Sequence, residues 1–127
     1  MNEAATKATV LIIDDSKPVR EIAADMLRLL NLEVLTAVSG QEGIALFQSN
    51  PIDLVLLDMN MPEMDGAAAY QALQDINPHV QAIVCTSESK SKAALRFGDR
   101  EMPPYLHKPF DTTIFLDTVT AILQNNP

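Results

Sequence analysis

The sequence predicts a doubly wound α/β domain: a five-stranded parallel sheet with helices on both faces. Short apolar, β-branched runs alternate with segments of helical periodicity along the chain, and repeated βα units with right-handed crossovers build parallel sheets covered on both sides. The runs Thr9–Ile13 and Ile52–Leu57 are apolar nearly throughout, as strands buried on both faces must be. Each stops abruptly at carboxylates, Asp14-Asp15 and Asp58, and the carboxyl ends of such strands are where doubly wound sheets bind ligands.

The elements follow in order. After the first strand, Ser16 and Pro18 open a helix in which Val19, Ile22, Ala23, Met26, Leu27 and Leu30 recur with helical period, and Asn31 stops it. Glu33 to Ala37 forms the second strand. Ser39-Gly40-Gln41-Glu42 is a capping box, in which Ser and Glu side chains satisfy each other's free amides, so a helix starts there and runs to about Gln48. Asn50-Pro51 ends it before the third strand, Ile52–Leu57, and the turn-rich stretch Asn60 to Gly66 follows. A third helix spans about Asp65 to Ile76, Asn77-Pro78 closes it, and a strand runs from Val80 to Thr86. A fourth helix lies around Ser91 to Phe97, Tyr105 to Lys108 forms a last strand, and Asp111 caps a final helix with Ile114, Leu116, Val119, Ile122 and Leu123 along one face.

At 127 residues the chain suits one domain. It is divided here into a tail at 1–8, the domain at 9–124 and a tail at 125–127. No apolar run approaches the roughly 20 residues that cross a bilayer, so membrane insertion is not expected. Met1 to Ala8 lacks the pattern of a secretory leader, and the single Cys85 forms no intrachain disulfide; a reducing cytoplasm is the expected setting. Cys85 itself reads as a small buried hydrophobe. The net charge of −8 argues against non-specific nucleic-acid binding. No Lys or Arg lies between Arg28 and Lys90, whereas eight Asp and Glu do. Most of these carboxylates read as a solvated surface.

Asp14, Asp15 and Asp58 are the exception, because carboxylates gathered at one sheet edge need a cation or protons. Mg²⁺, with Mn²⁺ able to replace it, fits best: it takes oxygen ligands and is held by one or two carboxylates, here Asp15 and Asp58, together with phosphate oxygens. His79 and His107 have no paired spacing, so zinc is not expected. Thr86 and Lys108, at two further strand ends, bring a hydroxyl and a compact positive charge suited to a phosphoryl group.

Ile13-Asp14-Asp15-Ser16, the stretch Asp58-Met59-Asn60-Met61-Pro62-Glu63-Met64-Asp65-Gly66, Thr86-Ser87 and Lys108-Pro109-Phe110 together resemble the signature of response-regulator receiver domains, over about residues 9 to 124. The resemblance implies a flavodoxin-like strand order 2-1-3-4-5 and Asp58 as acceptor of phosphoryl from a phosphohistidine. The donor would be a sensor histidine kinase or a histidine phosphotransfer domain. Mg²⁺ would be bound by Asp15, Asp58 and the backbone carbonyl of Asn60, with Asp14 acting through water and by orienting Lys108. It also implies that Thr86 is drawn to the phosphate and Tyr105 turns inward, switching the surface of the fourth helix, fifth strand and fifth helix toward a protein target the sequence does not name. A half-buried Tyr105 with its hydroxyl in water is the plainer reading. A cis bond before Pro109 belongs to the same family pattern, and Asn60 and Glu88 stand where the family tunes phosphoryl lifetime, here toward a short one.

The chain departs from that pattern in two places. Asp99 to Pro104 replaces a short Ala-containing turn, so the fourth helix is expected to be short or displaced, and Ser87 stands where Ala or Gly is usual. The run Ala93 to Gly98 leading to Tyr105–Phe110 is similar to receivers at the ends of hybrid sensor kinases. Lys92, Arg96 and Arg100 would form one basic stripe if the helix continued, either solvated or a docking face for an acidic partner or a second copy of this domain. No output domain is legible, so the expected response passes through protein contacts or onward phosphoryl transfer, without turnover catalysis. Two other classes share part of this pattern. A phosphatase of the haloacid-dehalogenase type also has an Asp after a buried strand but carries a second Asp where this chain has Asn60. A flavin module of similar architecture needs a Ser/Thr/Gly-rich phosphate loop after the first strand, which is missing.

Overall fold

A strand apolar at every position has no face to give to water, so it must lie inside a sheet covered on both sides. The computed structural model, which describes residues 7–124, resolves this by stacking helices on each face of one parallel sheet. The elements alternate as β1 (Thr9–Ile13), α1 (Lys17–Leu29), β2 (Glu33–Ala37), α2 (Gly40–Ser49), β3 (Leu54–Asp58), α3 (Gly66–Ile76), β4 (Ala82–Thr86), α4 (Lys90–Leu95), β5 (Tyr105–His107) and α5 (Thr112–Gln124). Strand order is β2-β1-β3-β4-β5 with every pair parallel, the doubly wound arrangement expected. The expected tails fall outside the described residues except for Lys7 and Ala8.

Alternate residues of the central strands feed two core layers. Val10, Ile12, Leu54, Leu56, Ile83 and Cys85 pack with Ala23, Met26 and Leu27 of α1 and Phe115 and Val119 of α5. Leu11, Ile13, Val55 and Leu57 face the other way, onto Ala69 and Leu73 of α3 and the partly buried Ile44 and Phe47 of α2. The apolar positions of these strands thus find apolar partners on alternate faces, as the two-residue period of a strand requires.

Helix starts obey the sequence. Ser16, Ser39, Asp65 and Ser89 cap α1 to α4 by accepting amides three residues on, and Asp111 does the same for Ile114 at 2.9 Å. The capping box closes in both directions, with Glu42 accepting the Val38 amide at 2.7 Å. Asn31, with φ 60°, takes the left-handed conformation that ends α1.

Several boundaries and faces differ from expectation, β5 among them, which ends at His107 and leaves Lys108 just beyond the strand. β4 begins at Ala82 because the Val80 amide is spent closing the turn after α3, on the Asn77 carbonyl at 3.0 Å. β3 begins at Leu54 and includes Asp58; Asp53 instead clips the start of β1, its carboxylate accepting the Thr9 amide at 2.7 Å. On α5 the inward residues are Phe115 and Val119, flanked by Leu116, Ile122 and Leu123, while Ile114 is 57% exposed. On α1, Ile22 is likewise exposed. α4 has only six residues, in line with the expected short helix, and Gly98, with φ 60°, turns the chain away.

Candidate functional site

In a parallel sheet, strands in register end level with one another. Ile13 pairs with Leu57 and Asp58 with Cys85, so Asp14, Asp58 and Thr86 emerge at one edge. Asp14 and Asp58 are buried, Asp15 is exposed, and one carboxylate oxygen of each lies within 4.8 Å of the others. The start of α1 locks Asp14 in place. The Ser16 amide donates to Asp14 Oδ1 at 2.9 Å and Arg20 Nη1 to the Asp14 carbonyl at 2.9 Å.

Lys108 follows β5, its amide held by the Thr86 carbonyl at 2.9 Å, and the peptide bond to Pro109 is cis, as the family pattern implies. Its Nζ donates to Asp14 Oδ2 at 2.6 Å and Asp58 Oδ1 at 3.2 Å. Burial alone would push this ammonium down, yet the two carboxylates outweigh burial and hold it above its ordinary range. Burial pushes the Asp14 carboxyl up, and Asp58 adds to this; Lys108 and the Ser16 amide oppose without prevailing. The Lys108 ammonium thus faces two carboxylates at once.

Thr86 is buried, and its Oγ1 accepts from Asn60 Nδ2 at 3.2 Å and from the Glu88 amide at 3.1 Å. The Asn60 amide in turn donates to Asp58 Oδ1 at 3.2 Å. Tyr105 lies one step farther out: its hydroxyl donates to the Glu88 carbonyl and its ring packs beside Met59, Val84 and Phe97. The hydroxyl therefore has a protein acceptor, which departs from the plainer reading of a hydroxyl in water.

The expected site residues Asp14, Asp15, Asp58, Asn60, Thr86, Tyr105 and Lys108 are thus at or beside this edge. The basic stripe is not: α4 stops at Leu95, Arg96 turns back to Glu88 at 2.8 Å and to Asp65 at 3.9 Å, and Arg100 donates to Gln71. The contacts of Arg20 and the Ser16 amide with Asp14, and of Arg96 with Glu88, lie outside the expected set. The first two have a signal in hindsight, since an N-cap and the residue four beyond it face the loop that precedes them.

Three carboxylates against one ammonium leave two formal negative charges at a site whose donors are all oxygens and which is open on the Asp15 side. The residues present fit a hard divalent cation.

An α/β sheet with an acidic, lysine-anchored carboxyl edge and a buried threonine beside it defines a small signalling domain. The family model of the response regulator receiver domain matches residues 10–120, and the chain belongs to that family. The transcriptional regulatory protein PrrA of Mycobacterium tuberculosis is 32% identical over 124 residues, 98% of this chain and 53% of PrrA. The autoinducer 1 sensor kinase/phosphatase LuxN of Vibrio harveyi is 32% identical over 94 residues, 74% of this chain and 10% of LuxN. The chain spans about half the length of PrrA. The chemotaxis protein CheY4 of Vibrio cholerae superposes with a TM-score of 0.82 at 28% identity, covering 92% of this chain and 99% of CheY4. A response regulator receiver domain protein from Clostridium thermocellum gives 0.83 at 28% identity, covering 92% and 94%. No helix among the described residues is long and apolar enough to cross a membrane.

Proposed function

We propose that this receiver domain accepts a phosphoryl group on Asp58 from a phosphohistidine of a sensor histidine kinase or histidine phosphotransfer domain. The observation that carries this reading is the buried Asp58 carboxylate, held by Lys108 Nζ on Oδ1 and set beside two further carboxylates. In the transfer an Asp58 oxygen attacks phosphorus, the new O–P bond forms as the P–N bond breaks, and the imidazole nitrogen keeps the electron pair. Such transfers need positioning and charge neutralisation more than acid or base work. Mg²⁺, or Mn²⁺, would be held by Asp15, Asp58 and the Asn60 carbonyl, and would offset charge on the transferring oxygens.

Lys108 supplies fixed positive charge beside the accepting carboxylate, Asp14 orients Lys108, and the Thr86 hydroxyl is within the same network to receive a phosphoryl oxygen. Movement of Thr86 would be felt at Glu88 and Tyr105 through the bonds described, which supports a switching surface on α4, β5 and α5 read by a downstream protein. Signalling by occupancy of Asp58, without turnover, and a cytoplasmic setting belong to this reading. The net charge of −8 speaks against nucleic-acid contact by these residues, while PrrA, of which the chain spans about half, is by name a transcriptional regulatory protein. A haloacid-dehalogenase-type phosphatase finds no support, and Asn60 spends its side chain on Thr86.

Incubation with acetyl phosphate and Mg²⁺ should label the protein, and Asp58→Ala should take no label by intact-mass measurement. Equal labelling of the two proteins would defeat the assignment.

A further inference from the structure

Glu88 is a hub. Its amide donates to Thr86 Oγ1 at 3.1 Å, its carbonyl accepts the Tyr105 hydroxyl, and its carboxylate pairs with Arg96 Nη2 at 2.8 Å. The side chain is only 15% exposed, and its second oxygen, Oε1, is buried with no hydrogen-bond partner. Arg96 is thus the cation that makes this burial tolerable, because a largely buried carboxylate without a partner is costly. Arg96 also lies 3.9 Å from Asp65 Oδ2, and Asp65 Oδ1 caps α3 through the Ala68 amide at 2.9 Å. One guanidinium therefore ties the loop after β4 to the end of the loop that follows Asp58.

We propose that Arg96 is a positioning residue for phosphoryl capture: by pinning the Glu88 side chain it fixes the main chain that holds the Thr86 hydroxyl, and so slows capture at Asp58. This rests on the phosphoacceptor reading above. Thr86 Oγ1 is occupied by two donors, Asn60 Nδ2 and the Glu88 amide. Its hydrogen remains free to donate to a phosphoryl oxygen, but moving Oγ1 toward Asp58 stretches the bond from the Glu88 amide, which Arg96 keeps in place through Glu88. Without Arg96 the Glu88 carboxylate gains by turning to water, and the Tyr105 hydroxyl is left as the remaining tertiary hold on the Glu88 main chain, which loosens. The hydroxyl is then released before the reaction instead of during it.

The test uses the full chain with Mg²⁺ and acetyl phosphate. An Asp58 oxygen bonds to phosphorus, the P–O bond to acetate breaks, and acetate leaves with the electron pair. The rate of Asp58 labelling should rise roughly two- to fivefold in Arg96→Gln, the range that corresponds to the coupling of a partly exposed ion pair. Arg96→Lys should restore most of the slow rate. Glu88→Gln should be as fast as Arg96→Gln, and the double variant no faster than either, because both act through one contact. An unchanged rate in Arg96→Gln, or additive effects in the double variant, would overturn the role of Arg96 while leaving the acceptor in place. A wild-type protein that takes no label at Asp58 would overturn the parent reading, and the role of Arg96 with it.

Discussion

Gly66 shows how little room the acceptor edge leaves. A Cβ there would sit 2.7 Å from the Asp58 carbonyl oxygen, 2.7 Å from Met59 Sδ and 2.9 Å from Met59 Cα. The Gly66 amide also donates to the Met59 carbonyl at 3.2 Å, so α3 begins directly against the end of β3. Backbone atoms cannot yield as a flexible side chain can, and Gly66→Ala should cost about 1–3 kcal/mol in urea unfolding. A loss under about 0.5 kcal/mol, the scatter of an ordinary surface change, would show that the loop relaxes freely. From the sequence Gly66 is legible as a turn signal after Asp65, but the close approach is not. Asp14, Asp15, Asp58, Thr86 and Lys108 are legible because each stands at a strand end, where topology alone gathers them. The bond from the Glu88 amide to the Thr86 hydroxyl and the pair of Glu88 with Arg96 run across a turn or outside any helical repeat, and leave no periodic trace.

At the scale of elements, α5 separates what spacing reveals from what it does not. Ile114 and Phe115 are adjacent apolar residues near the start of the helix. The expected face takes Ile114, although Phe115 stands four and seven residues before Val119 and Ile122, the helical spacing, and Ile114 stands five before Val119. Only one can point inward. Phe115 does, fully buried with its ring 4.9 Å from that of Phe110, and Ile114 is left 57% exposed. Phe115→Ala should therefore cost about 3–5 kcal/mol, and Ile114→Ala about 0.5 kcal/mol or less. Thermal or urea unfolding of the two variants would reveal comparable losses if the face were assigned wrongly. The other missed boundary, at β4, has a similar origin: Val80 is apolar and β-branched like the strand it precedes, but its amide has already been spent on the turn after α3. Hydrophobic pattern reports which residues prefer burial, and hydrogen bonds decide where a ladder begins.

On the scale of the whole molecule, Cys85 reports whether the sheet opens as a unit. It lies on β4, a strand paired on both sides, in register with Asp58 and 2% exposed. Burial pushes its thiol up from 9.0 to about 12, with Asp14 and Asp58 adding to the shift and Lys108 opposing it. The unfolded chain therefore ionises first. Below pH 9 both states keep the proton, and the thiol contributes no pH dependence. Between 9 and about 12 the unfolded chain binds fewer protons than the native one, so native stability must fall as pH rises through this window. In Cys85→Ala that part of the alkaline decline should disappear from urea midpoints measured across the window. The same burial makes the native thiol inert, since only a thiolate that reagents can reach is alkylated. Iodoacetamide should then modify the wild-type protein at a rate that follows global unfolding as urea is raised. Modification in native buffer as fast as that of a free thiol would mean that β4 separates from its neighbours without the rest of the sheet, and the two core layers would then not act as one cooperative unit.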